Sequence, residues 1–153
     1  MTKRMTIPPN ASLNAELTAM AGREVILFES VPIAKGERIE IRFISHAGPR
    51  KQGVWIGVEG KLEVAGQELS QITLWQDTAP PVVPLRILET KDGRLRFYNV
   101  FDGGHGRRSQ GRFSGLLREQ DGPKTTYRCN DDEPGPVFDR LVFELVREPS
   151  ISR

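Results

Sequence analysis

The stretch ERIEIRFI, residues 37–44, puts Ile39, Ile41 and Phe43 on one side of an extended chain and Glu40 and Arg42 on the other. Successive side chains point to opposite faces only in a strand, so a period of two predicts extended backbone with one face buried. Working outward, shorter runs of the same kind recur at intervals of about 8 to 12 residues, the spacing of an all-β sandwich or barrel. They are REVILFE (23–29), VWIGVEG (54–60), KLEVAG (61–66), ITLWQ (72–76), VPLRILE (83–89), GRLRFYNVF (93–101), RFSGLLRE (112–119), TTYRC (125–129) and FDRLVFELV (138–146). In the sixth of these, Leu95, Phe97, Asn99 and Phe101 share one face.

Turn chemistry divides the runs. Glu59-Gly60 offers a reversal between two of them, and Asp92-Gly93 supplies the positive φ of a hairpin turn. Residues 12–20 fit two patterns: Leu13, Leu17 and Met20 suit a helical face, while Leu13, Ala15, Leu17 and Ala19 suit strict alternation, which is preferred here. The expected fold is a single antiparallel β-sandwich, jelly-roll-like, with nine or ten strands and little helix. It occupies residues 10–148, with loose ends at 1–9 and 149–153.

A chain of 153 residues carries one sizeable core. Its 22 basic and 20 acidic side chains leave a formal charge of +2, so a nucleic-acid or membrane partner would need a local patch. Cys129 is the only cysteine, which excludes an internal disulfide and a thiolate metal cluster and favours a reducing compartment. Pro8 and Pro9 interrupt the start where a secretory leader would be apolar, and no run approaches the roughly 18 apolar residues of a membrane span. A cytoplasmic location with no membrane partner is the expectation.

Acids crowd the entry to the last strand, in NDDEPGPVFDRLVFEL (130–145). Alternation places Asp139 on the inward side with Leu141, Phe143 and Leu145. A carboxylate at the rim of a core needs backbone N–H groups, an arginine or a hard cation, and Asn130, Asp131 and Asp132 lie within reach of the same point. Through Phe138, Asp139, Leu141, Val142 and Phe143 the motif resembles the closing strand of bacterial calcium-binding β-sandwich modules. The resemblance implies a calcium site at Asp131, Asp132 and Asp139. Arg140 stands where that pattern has a second acid.

A second candidate is DGGHGRRSQGRFSG (102–115), a glycine-rich loop carrying His105, Arg107, Arg108 and Arg112. Backbone amides and guanidinium forks suit anions, including nucleic acid, but the Gly-Lys-Ser/Thr of a phosphate loop is missing. Trp55, Trp75, Tyr98 and Tyr127 are candidates for a stacking platform, and Trp55 lies out of phase with Val54, Ile56 and Val58, hence outward. Catalysis has little support: no HExxH, GxSxG or CxxC occurs, which leaves Cys129, with Arg128 beside it to lower its pKa, or His105. The functional expectation is a non-enzymatic module recognising a carbohydrate or protein through its loops. Anion or nucleic-acid binding through residues 104–112, and an enzyme using Cys129 or His105, are the alternatives.

Overall fold

A computed structural model describes residues 11–148. Its elements are β1 (Ser12–Leu13), α1 (Ala15–Ala21), β2 (Ile26–Pro32), β3 (Arg38–His46), β4 (Lys51–Val64), β5 (Gln67–Trp75), β6 (Val82–Asp102), β7 (Arg108–Ser109), β8 (Ser114–Asp121), β9 (Lys124–Asp131) and β10 (Leu141–Arg147). All pairings are antiparallel within one sheet of 10 strands. The all-β expectation therefore holds, whereas the two-sheet sandwich is replaced by a closed ring, β2-β8-β9-β10-β3-β6, with β4 and β5 continuing outward from β6. The reason is the length of β6. Its 21 residues pair first with β3 at Val82–Arg86 and then with β2 at Arg94–Phe97, so one strand joins two edges that a sandwich leaves open.

Both expected hairpins are bends in continuous strands instead. β4 runs through Glu59-Gly60, with register shifts on either side, and reverses only at Ala65-Gly66, where φ is 52° and 77°. β6 runs through Asp92-Gly93, where Gly93 has φ 70° and its N–H donates to Thr90 Oγ1. Gly60 pairs with Thr90, and a Cβ at Gly60 would stand 2.1 Å from the Glu89 carbonyl oxygen. An acid followed by glycine suits a bulge as well as a turn, and here neighbours on both sides of each strand hold it to a bulge.

Residues 12–20 are not the strand expected beyond Leu13. Asn14 caps α1 by accepting from Leu17 N (3.0 Å), and its amide donates to the carbonyls of Arg112 and Ser114. Of the three apolar positions that fit a helical face, Leu17 alone is buried, in a small cluster with Val25, Leu117 and Phe138. The main core gathers the inward positions of the ring and of β4, including Ile39, Ile41, Ile56, Phe97, Phe143 and Leu145. One acid enters it: Glu29 is fully buried, its Oε2 accepting from Tyr127 OH (2.8 Å) and Arg118 Nη1 (2.9 Å). Burial first, then the Glu29 charge, pushes the Tyr127 phenol far above its ordinary pKa. The end segments 1–9 and 149–153, expected to be loose, lie outside the described residues.

Candidate functional site

The acidic loop turns inward on itself. Asp131 is 1% exposed; its Oδ2 accepts from Gln52 Nε2 (2.8 Å), and its Oδ1 lies 3.4 Å from Arg50 Nη1 and 3.6 Å from Arg140 Nε. Asp132 accepts from Phe113 N (2.6 Å) and so ties the 111–113 turn to the end of β9. Asp139 does not join the inward face. Phe138, at φ 57°, takes the buried place and leaves Asp139 exposed, because a left-handed residue breaks the alternation on which the inward expectation rests. Among the described residues no three His, Cys, Asp or Glu side chains group so as to hold a metal ion.

On the outer face of β4 the arrangement differs. Val54 and Ile56 point inward and are fully buried, so Trp55 points out, as its phase requires. Its indole stacks on Tyr98 of β6 with ring centres 4.9 Å apart and 18° between planes, and Tyr98 in turn meets Phe28 of β2 at 5.7 Å. Nε1 donates to Gln71 Oε1 across the ladder to β5 (2.8 Å). The glycines on either side of it, in the run Gly53-Val-Trp-Ile-Gly57, provide the room: a Cβ at Gly57 would come within 2.5 Å of the Trp55 ring, and one at Gly53 within 3.0 Å of the Trp75 ring. Trp55 walls a groove of about 180 Å³ floored by Gly57 and bordered by Glu59, Ser70, Gln71 and Arg96. Trp75 stands on the same outer face under Lys51 Nζ (4.9 Å to the ring centre), while Tyr127, the fourth proposed platform residue, belongs to the core.

The glycine-rich loop reaches this face. Asp102 Oδ1 accepts from Gly104 N (2.7 Å) and Gly106 N (3.1 Å), and those bonds hold its carboxyl below the usual carboxylate range. Arg107, just beyond, donates from Nη1 to Thr73 Oγ1 (2.9 Å), and Thr73 is the β5 register partner of Trp55. Trp55 and Arg107 are thus brought together. Arg112 is not, for it forms a fork with Glu16 on α1 (2.7 and 2.9 Å). Arg108 enters β7, and both it and His105 are exposed.

Cys129 faces the main core with 0% exposure, and burial pushes its thiol well above the ordinary pKa. Arg128, expected to lower that pKa, points the other way and donates to Glu119 (2.9 Å). A protonated thiol with no access to solvent is not a nucleophile.

Gln71, Ser70, Glu59 and Arg96 were absent from the expected site. The signal for Gln71 was the β4–β5 hairpin, and that hairpin is legible only once the turn is placed at Ala65-Gly66, which sets Gln71 opposite Gly57. The sequence matches no protein-family model and no curated protein. Among solved structures, the Chromobacterium violaceum lectin CV2L in complex with α-methyl-fucoside is similar with a TM-score of 0.44 and 10% identity, over 81% of this chain and 96% of that one. A likeness at that level assigns this chain neither a fold nor a ligand.

Proposed function

We propose that this protein is a non-enzymatic binding module that takes a saccharide on the outer face of β4, β5 and β6. The observation that carries the reading is Trp55, held outward by its stack on Tyr98 and its hydrogen bond to Gln71, as the wall of a groove edged by amide, hydroxyl, carboxylate and guanidinium groups. A sugar ring has an apolar C–H face and a rim of hydroxyls that both donate and accept. It needs a flat apolar wall and planar polar groups beside it, and this groove offers both. Its volume, about 180 Å³, is below the roughly 300 Å³ at which drug-sized pockets begin, which suits one ring of a longer chain. Pre-positioning matters as much as composition, because an aromatic already fixed in place loses little entropy on binding.

The test is a panel of neutral and charged oligosaccharides titrated against the protein by calorimetry and by tryptophan fluorescence. Binding that perturbs indole emission and is abolished by Trp55→Ala is expected. A protein that binds no member of a broad glycan array, or binds unchanged after that substitution, has its site elsewhere.

A further inference from the structure

Resting on the Trp55 reading, the geometry points to a more specific ligand: we infer that the saccharide is acidic, and that Arg107 selects its anionic group. The groove is floored at the level of Gly57, and Arg107 is anchored one row along, at Thr73 beside Trp55. Two residues along a strand span about 7 Å, so a ring in the groove places a neighbouring unit of the same chain against the guanidinium.

Three observations make Arg107 a recognition group and not a solvated loop residue. It is exposed, and Nη1 has one partner in Thr73 Oγ1; its other N–H donors have none among the described residues. The loop that presents it is pinned, because Asp102 accepts from two of its amides, so the fork arrives in a set position. Nearby acids are engaged elsewhere: Asp102 by those amides, Asp92 by Arg96, and Asp77 by Lys51, leaving Glu59 at the far rim of the groove.

A uronate carboxylate and a sulfate ester offer a guanidinium the same pair of acceptor oxygens, so the shared chemistry is an anionic oxygen pair on a sugar. The experiment uses the full chain and compares a neutral oligosaccharide, its uronate counterpart, its sulfated counterpart and single-stranded oligothymidylate, each at low and high salt. Variants are Arg107→Ala, Arg107→Lys, and Arg112→Ala as a control whose cation is engaged by Glu16.

One charged arm should bind about tenfold more tightly than the neutral sugar, with the gap narrowing as salt rises. Arg107→Ala should bring its affinity down to that of the neutral ligand, Arg107→Lys should recover part of the loss, and Arg112→Ala should change nothing. Which charged arm wins identifies the carboxylate or the sulfate. Equal affinity for charged and neutral sugars, or a preference that survives Arg107→Ala, overturns the inference while the Trp55 site stands. Binding of no saccharide removes both, and so does oligothymidylate binding more tightly than any sugar.

Discussion

The mouth of the ring around Asp131 and the outer face around Trp55 each gather several polar side chains, and both lie near loops rich in charge. At the mouth the buried charges find partners within the fold: Asp131 has Gln52, Arg50 and Arg140, and Asp132 has a backbone amide. Asp131 Oδ1 and Arg140 Nε meet only as an ion pair, however, and Gln52 Oε1 and Asn130 Oδ1 accept no hydrogen bond among the described residues. At the outer face the bonds that exist, Trp55 to Gln71 and Arg107 to Thr73, orient side chains and leave donors on the exposed guanidinium. A buried charge must find its partner inside the fold or cost several kcal/mol. An exposed one is under no such demand, so a fixed orientation there has no need in folding to explain it. Buried charges paired within the fold therefore mark architecture, and exposed groups held in one orientation with donors to spare mark a surface for a ligand.

That contrast breaks first at Asp131. Asp131→Ala leaves Arg140 and the Gln52 amide without their carboxylate, while Arg50 keeps the residue-131 carbonyl (2.8 Å) and Glu133. It should lower the unfolding free energy by about 3 kcal/mol in a urea titration, while any folded fraction still binds saccharide. Loss of binding without loss of stability would reverse the two roles. Gly57→Ala comes next: its new methyl meets the Trp55 ring, so the ring must move, at about 1 to 3 kcal/mol of stability and most of the affinity. Trp55→Ala sharpens the comparison further, since it removes a half-buried ring and its stack on Tyr98 for about 1 kcal/mol by the same titration, yet should abolish binding.

Acid gives a smaller effect. Asp102 and Glu16 both have folded pKa values below their ordinary ones, Asp102 through Gly104 N and Glu16 through the hydrogen bond from Arg112. Stability linked to a lowered carboxylate pKa is present above the ordinary value and lost as pH falls through the folded one. The Gly104 and Gly106 amide resonances should therefore hold steady down through the ordinary aspartate range and shift only below it. Because Glu16 is exposed and Asp102 only partly covered, the melting temperature should hardly follow. The smallest effect expected is that of calcium: with Asp131 already held by two arginines, titration should leave the melting temperature unchanged. A saturable rise would restore the cation reading of the acidic loop.

Much of the strand pattern was legible because alternation is a local property. Leu95, Phe97, Asn99 and Phe101 are all buried on one face, and Trp55 lies out of phase with Val54 and Ile56. Asp139 was misplaced for the same reason, since one left-handed residue at Phe138 shifts the phase and no periodicity reports it. The helix at Ala15–Ala21 was hidden because its burial is confined to Leu17, too little for a period to emerge, although Asn14 and Gly22 bracket it with good capping chemistry.

The residue order alone determined which segments are extended and which of their faces are apolar, because backbone sterics and side-chain hydrophobicity act over a few residues. Tertiary structure decided whether Glu59-Gly60 and Asp92-Gly93 turn or bend, that the ring closes, and that Arg107 and Gln71 converge on Trp55. Those outcomes depend on hydrogen bonds between strands distant in sequence: a bulge and a hairpin have the same local chemistry, and only a partner on each side of the strand chooses between them.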